Sequence, residues 1–571
     1  MSHTLTISFT PVSPAPPNGY RVKYWKLSNP ALVTTIFPNP TTSPINITVP
    51  NFESYAGTVE ASCTGGTYST IQNWTANEQF VMQAYAITKA PDPALGAGIW
   101  IINSYTEPFT IIWGDGNTDT YGPGNINVPS HTYSSPYTGP IIIECADLSS
   151  IWKMDITNGA FPASTSPRPI TIQTTELSKL DGLLEFIAID ARVRIEGIIS
   201  DLPSSLTNYT STITNLSGNL NTMNLPNIVR FLVTGSNTLT GDIGNFSNTC
   251  DDLTIFGNNT ISGVVADWPT SLKNIFITGA NQLSGLIQNA PPNMEEIYIL
   301  GNNFIGGTIQ SMACPNIELI QVQGATTIGG SINTFTTNTN FANLKRLILI
   351  GSNTVGGNIA NFNTGIEYIQ MEGNNTLSGN IEDLPGTVEW FRAWGNNTIA
   401  GNIDNGLPTG ITNLYVIGGG VITGDTDNLA GFYPAMTQFS VIGPTTLTGD
   451  MANLPSTLTT FSIGGTSHTM TGDIAACPAI LNYLYLSVGN LNTTTYTAFP
   501  KVWASIMVEI YLRRSPSYTS TELDNLFIDW DNSTTSWGGS KFINVQGTVT
   551  AASLAARNSL ITKGVTINII P

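Results

Sequence analysis

The chain has 571 residues, of which 41% are hydrophobic and only 10% are charged, and its net charge is −18. The hydrophobic content excludes an intrinsically disordered chain. An acidic chain without a basic stripe is also a poor partner for nucleic acid, so we expect none.

Residues 1–78 are predicted to form a small β-sandwich. The first 20 residues have neither a basic nor an apolar signal region, so we expect no signal peptide and synthesis in the cytoplasm. The segments YRVKYW (20–25) and YAGTVEASC (55–63) alternate in polarity, as half-buried strands do. This region resembles the fibronectin type III-like modules at the starts of virion proteins from phages of Bacteroidetes-like hosts.

Residues 79–180 are predicted to form a second β-sandwich. FTIIWGDGNTDTY (109–121) and HTYSSPYTGPIIIE (131–144) resemble the WGDG turn and the last strands of PKD-like modules. Such modules often precede leucine-rich repeats in surface proteins and phage fibres. The residues that carry this resemblance are Trp113, Gly114, Asp115, Gly116, His131, Thr132 and Tyr133.

The same turn has the first part of a calcium-loop pattern. Asp115, Asn117 and Asp119 stand at positions 1, 3 and 5, but Thr120 replaces the glycine at position 6 and no acidic residue closes the loop. The pattern therefore favours a turn capped by Asx side chains. We predict no metal site and no cofactor.

Residues 181–490 consist of a repeated segment with a period near 22 residues. Such a period is typical of a solenoid in which each repeat is one coil, because a single coil cannot bury its own apolar edge. About 14 coils are predicted. They start at Leu184, Leu206, Ile228, Cys250, Leu272, Met294, Ile317, Leu344, Ile366, Val388, Ile411, Met436, Leu458 and Leu481.

Within a coil, an apolar-x-apolar pair predicts a short strand, and adjacent coils would pair these strands into a parallel sheet. An Asn column is expected inside the following bend, where amides can bond the backbone of their own and the next coil. Glycines before it permit positive φ. The Asn column is Asn237, Asn259, Asn281, Asn303, Asn353, Asn375 and Asn397.

The repeat resembles the leucine-rich repeat, with one extra residue before Asn, and its tail LSGNIEDLP (377–385) resembles the plant-type subclass. The extra residue and the Ile, Val and Thr content favour strand or irregular structure rather than α-helix on the convex side. The resemblance implies a mainly β fold: N-terminal β-sandwiches, then a leucine-rich-repeat-like parallel β solenoid.

Residues 491–571 are predicted to form a small α/β cap over the last apolar edge of the solenoid. Helices are expected in STELDNLFIDW (520–530) and TAASLAARNSLITKG (550–564), and strands in KFINVQG (541–547) and VTINII (565–570). This ending resembles that of leucine-rich-repeat proteins of phages and bacteria.

The sequence shows no catalytic motif, so we predict no enzyme activity. His3, His131 and His468 are the three histidines, and none has a recognisable nucleophile setting. Two carboxylates facing across a cleft, as a glycosidase needs, remain open as an alternative. The scattered cysteines are predicted to be free buried thiols. They are Cys63, Cys145, Cys250, Cys314 and Cys477.

The third, fifth and seventh residues of each coil are expected to line the concave face, where leucine-rich repeats bind ligands. Most are Thr, Gln or Asn, but aromatic and charged residues gather in the ninth to eleventh coils. Trp, Tyr and Arg are frequent anchors of interfaces. The candidate ligand-binding residues are Tyr368, Glu372, Trp390, Arg392, Trp394 and Tyr415. Alternatively, these rings contact a neighbouring subunit or pack on each other.

Together these resemblances imply a structural virion protein of a bacteriophage, either a head or tail fibre or a capsid decoration. Its N-terminal domains would attach to other virion proteins, and its solenoid would bind a glycan or protein of the host surface. A homo-oligomer, a trimer by analogy with fibres, is expected, and no membrane span is predicted. A bacterial surface adhesin and a polysaccharide-degrading enzyme are the alternatives.

Overall fold

The computed structural model describes residues 3–7, 20–26, 29–36, 45–49, 55–62, 68–76, 78–90, 99–157, 170–189, 193–465, 467–489, 493–497, 507–533 and 541–571. The chain divides into two compact units. One comprises Met1–Ser262 with Ile277–Ala280, and the other comprises Gly263–Phe276 with Asn281–Pro571.

The first unit begins with antiparallel strands. β1 (His3–Ile7) pairs with β4 (Ile45–Val49), and a four-stranded sheet has the order β3 (Asn29–Ile36), β2 (Tyr20–Lys26), β5 (Tyr55–Ser62), β6 (Tyr68–Ala76). The predicted strands in 20–25 and 55–63 are confirmed, and Cys63 lies outside the described residues. The next strands are β7 Glu78–Ala90, β8 Ile99–Ser104, β9 Phe109–Ile112, β10 Thr118–Tyr121, β11 Gly124–Asn127, β12 His131–Cys145 and β13 Ile151–Thr157.

The WGDG segment forms a tight turn between β9 and β10. The backbone N–H of Asn117 donates to Asp115 Oδ1 (3.1 Å), which is the predicted Asx-capped turn. The carboxylates of this turn bond to other side chains: Asp115 Oδ2 lies 2.8 Å from His131 Nε2, and Asp119 Oδ2 accepts a hydrogen bond from Trp113 Nε1 (2.7 Å). The residues of the PKD-like resemblance therefore hold this turn against β12. Membership of that family stays a prediction, as do the bounds of the four predicted domains.

Parallel pairing begins where β13 pairs with β15 (Glu185–Ala188). The coils of the first unit then stack in register, with Glu185, Asn208, Arg230 and Asp252 on successive strands. Because Glu185 is equivalent to Asn208, the first coil starts at the fully buried Leu183, so the predicted start at Leu184 was wrong by one residue. The bounds are β14 Ile170–Gln173, α1 Thr174–Leu177, β15 Glu185–Ala188, β16 Val193–Ile198, β17 Asn208–Asn219, β18 Arg230–Asp242, β19 Asp252–Val264 and β20 Asn274–Leu286, the last divided between the two units.

The second unit continues the same coil pattern. Tyr368, Trp390, Asn413, Gln438 and Thr460 stand on successive paired strands, so each coil adds one rung. The bounds are β21 Glu296–Thr308, β22 Leu319–Gly324, β23 Thr327–Ser331, β24 Arg346–Asn358, β25 Tyr368–Asn380, β26 Trp390–Asn402, β27 Asn413–Gly418, β28 Ile422–Asp425, α2 Leu429–Phe432, β29 Gln438–Ile442, β30 Thr445–Asp450, β31 Thr460–Gly464, β32 Thr469–Thr471, β33 Tyr483–Gly489, β34 Glu509–Arg514, α3 Ser520–Ser533, β35 Lys541–Gln546, α4 Leu554–Thr562 and β36 Val565–Ile570.

A coil is built as its pattern predicts. In β25, Ile369 and Met371 are fully buried, the chain bends at Gly373, and Leu377 is buried on the far side of the bend. A short 3-10 helix follows in most coils, where strand or irregular structure rather than α-helix was predicted. In one coil the 3-10 helix Thr426–Asn428 continues into the short α-helix α2, which differs from that prediction. The 3-10 helices are Leu148–Ser150, Ile199–Asp201, Leu220–Thr222, Ile243–Asn245, Val265–Asp267, Ile287–Asn289, Ile309–Ser311, Thr339–Phe341, Ile359–Asn361, Ile381–Asp383, Ile403–Asn405, Thr426–Asn428, Met451–Asn453, Ile474–Ala476 and Ala551–Ser553. The fold is a leucine-rich-repeat-type parallel β solenoid.

The Asn column is fully buried in both units and links the coils through side-chain amides. Asn303 shows the arrangement: its Oδ1 accepts from the backbone N–H of Leu283 (3.2 Å), and its Nδ2 donates to the carbonyl oxygen of Gln323 (2.9 Å). These partners belong to the preceding and the following coil. One amide thus satisfies two backbone groups that the bend leaves without ladder partners.

Gly373 is expected to tolerate no side chain. Its φ is +130°, and a Cβ atom there would collide with the carbonyl oxygen of Gly351 and with the backbone of Asn353. We expect Gly373→Ala to lower the free energy of unfolding by about 1–3 kcal/mol, since neither backbone contact can move independently. Chemical denaturation would measure it. Gly386→Ala, where a Cβ meets open space, is the control, and equal effects of both changes would contradict the argument.

The C-terminal elements occur where they were predicted. Thr519 and Glu522 form a capping box at the start of α3: the Thr519 N–H donates to Glu522 Oε2 (2.7 Å), and the Glu522 N–H donates to Thr519 Oγ1 (3.3 Å). Cys145, Cys250, Cys314 and Cys477 are free and buried, as predicted. Within the described ranges, no helix has both the length and the apolar character needed to cross a membrane.

Candidate ligand-binding face

Strand alternation places the predicted residues on one face of the second unit. In β25, Ile369 and Met371 point into the core, so Tyr368, Gln370 and Glu372 point the other way. We call this side, formed by the third, fifth and seventh residues of each coil, the outer face. Trp394 also lies here and is 46% exposed.

Aromatic and guanidinium groups stack along this face because their strands are paired in register. Arg346, Tyr368 and Trp390 occupy the same position on successive strands. The rings of Tyr368 and Trp390 are stacked with centroids 5.0 Å apart and planes 14° apart, and the Arg346 guanidinium lies 5.3 Å from the Tyr368 centroid. Each group thus covers one face of its neighbour.

The polar groups beside these rings bond mainly to one another. Arg392 Nε lies 3.0 Å from Glu372 Oε1, and Gln370 Nε2 donates to the same oxygen (2.8 Å). The Arg392 guanidinium also lies 4.5 Å from the ring centroid of Tyr415. We call this set the aromatic–arginine cluster: Arg346, Tyr368, Gln370, Glu372, Trp390, Arg392 and Tyr415. The structure therefore brings five of the six predicted residues into this cluster, and Trp394 lies on the same face outside it. The carboxylate and amide groups of the cluster have protein partners, whereas Trp390 Nε1 has none within the described ranges.

Burial raises the pKa of the phenols of Tyr368 and Tyr415, an effect that outweighs the opposing charge of Arg392. Both phenols therefore remain neutral hydroxyl groups at physiological pH.

Two of the three histidines, which the search for a catalytic motif covered, lie away from this face. His131 pairs with Asp115, and His468 is fully buried, which lowers its pKa. Among the described residues, no group of His, Cys, Asp or Glu is arranged to hold a metal ion.

A depression of about 430 Å³ lies on the outer face next to the cluster. Ser440 and Ser462 form its floor, and Tyr415 stands at one end and Tyr485 at the other. We call it the serine groove, and it is further lined by Gln438, Thr460, Tyr483 and Glu509. Apart from Tyr415, the sequence analysis missed these residues. The available signal was the column Tyr415, Ser440, Ser462, Tyr485, in which two small residues separate two aromatic ones.

No protein-family model matches the chain. No curated protein matches it either. Among solved structures, it is similar to the leucine-rich-repeat ectodomain of the Arabidopsis thaliana receptor kinase GASSHO1/SCHENGEN3, crystallised with CASPARIAN STRIP INTEGRITY FACTOR 2 (17% identity, 70% of this chain and 54% of that chain covered, TM-score 0.45). The chain thus spans about half the length of that ectodomain.

Two further structures are similar at comparable levels. One is the plant peptide hormone receptor RGFR1 in complex with RGF2 (16% identity, 69% of this chain and 71% of that chain, TM-score 0.43). The other is a leucine-rich-repeat protein of Leptospira interrogans (14% identity, 69% of this chain and 91% of that chain, TM-score 0.33).

Proposed function

We propose that this protein is a binding protein of a phage virion, a head or tail fibre or capsid decoration, whose solenoid contacts the host surface through the outer face of its second unit. The aromatic–arginine cluster together with exposed Trp394 carries the proposal. Other aromatic residues at outward positions, such as Phe276 with Tyr298, form smaller groups, whereas two Trp, two Tyr and two Arg gather here beside a depression. Such a concentration is typical of interface anchors.

The virion assignment rests on the resemblances of the flanking segments. The region 1–78 resembles modules at the starts of phage virion proteins, and 491–571 resembles the ending of phage leucine-rich-repeat proteins. In this proposal the N-terminal domains bind other virion proteins, the mature location is the virion, and the chain forms a homo-oligomer, with a trimer as the hypothesis. Antibodies raised against the protein are expected to label intact phage particles in electron micrographs.

Trp394→Ala is expected to weaken binding of the purified full chain to host cells by about tenfold or more. An aromatic anchor at the centre of an interface contributes about 2 kcal/mol or more, and Trp394 is exposed, so its removal leaves the core intact. Cell-bound fluorescence of labelled protein measures the effect. Trp390→Ala is expected to act in the same direction and also removes the stack on Tyr368.

Phe304→Ala is the matched control. Phe304 is also an exposed aromatic residue, 55% accessible, but it follows the bend of β21 and so lies off the outer face. Its replacement is expected to leave cell binding unchanged. If Trp394→Ala and Phe304→Ala bind cells as the unaltered protein does, the outer face is not the contact surface.

A further inference from the structure

We propose that the serine groove binds the terminal one or two residues of a neutral glycan, held between the aromatic faces of Tyr415 and Tyr485. This inference rests on the proposed function and names the class of ligand. The two rings are spaced to admit sugar rings, polar groups of the groove have no protein partner in the part of the molecule that the structure describes, and the surrounding charges disfavour anions.

The spacing follows from the register of the ladder. Tyr415, Ser440, Ser462 and Tyr485 occupy equivalent positions on four successive strands. Adjacent strands lie about 4.8 Å apart, so three steps separate the two tyrosines by roughly 14 Å. Stacked rings elsewhere on this face, Tyr485 with Tyr511, have centroids 4.3 Å apart. Ser440 and Ser462, on the two strands between the tyrosines, have small side chains. They therefore leave a space between the two rings that is about two ring thicknesses wide.

Each wall is supported from behind. The Arg392 guanidinium covers one face of Tyr415. Tyr511 covers one face of Tyr485, and the Arg513 guanidinium lies 4.6 Å from the Tyr511 centroid. Because the rings and guanidinium groups stack in the direction that leads from strand to strand, the uncovered face of each tyrosine is directed toward Ser440 and Ser462. The rings are thus held in place before a ligand arrives, which lowers the entropic cost of binding.

The groove contains unused hydrogen-bonding groups: the floor residues Ser440 and Ser462 are 1% and 7% exposed, and Gln438 and Thr460 beside them are half-buried. In the described part of the chain, the hydroxyl groups of Ser440, Ser462 and Thr460 and the amide of Gln438 bond to no other residue, whereas the Gln370 amide and the Glu372 carboxylate are already engaged. Hydroxyl and amide groups match the hydroxyl groups of a sugar, and the C–H faces of a pyranose ring match an aromatic wall. A few polar groups within an otherwise apolar lining are what a small-molecule site needs.

The charges select against acidic sugars. Arg392 is paired with Glu372, so the groove presents no unpaired cation at that end. Glu509 lines the other end, where the Arg513 guanidinium, on the same strand as Glu509, lies against the Tyr511 ring and is not among the residues that line the groove. The chain as a whole carries a net charge of −18, which adds a repulsive field for anions. A neutral glycan, built from hexoses or N-acetylhexosamines, therefore fits better than a sialylated or sulfated one.

The test is binding of the purified full chain to an immobilised panel of neutral and acidic oligosaccharides. We expect binding to neutral members, and at least a tenfold loss for Tyr485→Leu, which keeps apolar bulk but removes the aromatic face. Gln438→Trp, at a half-buried position on the rim, is expected to fill the groove and give the same loss. Thr398→Trp, an equally bulky change at an exposed position after the bend of β26, should bind normally.

The outcomes separate this inference from the proposed function. Three results would overturn the glycan site. They are no binding to any neutral oligosaccharide, binding by Tyr485→Leu and Gln438→Trp equal to that of the unaltered protein, and a preference for acidic oligosaccharides. Cell binding that still depends on Trp394 would then leave the proposed function standing. Glycan binding without any cell binding would support the groove and refute the proposed function.

Discussion

Replacing Arg514 by leucine is expected to lower the local free energy of unfolding around α3 by about 3–5 kcal/mol, the cost of leaving a buried charge without its partner. Arg514 and Glu522 are both buried, and Arg514 Nη2 lies 2.6 Å from Glu522 Oε2. The guanidinium also donates to the carbonyl oxygens of Thr494 and Pro516. Glu522 is in addition the capping residue of α3, so its stranded carboxylate would disturb the helix start. Hydrogen exchange of the α3 amides would measure the loss.

Two comparisons sharpen this prediction. Lys345 and Glu318 form an ion pair of similar length, 2.7 Å, but both side chains are about half exposed and the pair is screened by water, so Lys345→Ala should destabilise the protein far less than Arg514→Leu does. Replacing Arg514 and Glu522 together by Leu should recover part of the loss, because no charge is then left buried. An Arg514→Leu variant as stable as Lys345→Ala would show that the pair does not hold this segment.

The same pair predicts a dependence on pH. Burial by itself would raise the pKa of Glu522, but hydrogen bonds from Thr519 and the charge of Arg514 outweigh it and hold the pKa below its ordinary 4.5. The stabilising contribution is therefore complete above pH 4.5 and is lost as the pH falls through the lowered folded-state pKa. In Arg514→Leu, acid exposure of α3 in hydrogen exchange should begin at a higher pH than in the unaltered protein.

Replacing Asn303 by alanine is expected to lower the free energy of unfolding by about 2–5 kcal/mol. The change leaves a buried N–H and a buried carbonyl without hydrogen-bond partners, and each such group costs about 1–3 kcal/mol. The groups are the N–H of Leu283 and the carbonyl oxygen of Gln323. The side chain of Asn303 is fully buried between coils, so water cannot replace the missing amide unless the coils separate. Chemical denaturation and exchange of the Leu283 amide would measure it.

The neighbouring residue supplies the control. Asn302 is exposed, so Asn302→Ala should change the free energy of unfolding by less than about 0.5 kcal/mol. The two variants alter composition identically and differ only in burial. If they are equally stable, the amide column is not a structural link between coils.

Much of the solenoid could be predicted because the residues that shape one coil are close together in the sequence. The spacing of Ile369, Met371 and Leu377 determines which side chains are buried, and Gly373 determines where the strand bends. Repetition then implies stacking, since each coil leaves an apolar edge. The capping box at Thr519 and the helix after it were equally local, and the structure contains both.

The outer face was predictable only in part. Alternation alone placed Tyr368, Trp390 and Arg392 outward, and the structure has them there. Whether such residues are free to bind depends on side chains in neighbouring coils, which are about 20 or more residues away in the sequence. Glu372 forms an ion pair with Arg392 of the next coil, whereas Ser440 and Ser462 have short side chains and leave a space.

The sequence by itself thus determined the coil, its buried column and its bends, because these follow from contacts within about one repeat. Only the tertiary structure decided which outward groups satisfy one another and where a groove opens. Those properties depend on the register between coils, which brings residues of successive repeats within a few ångströms and cannot be seen in any one repeat.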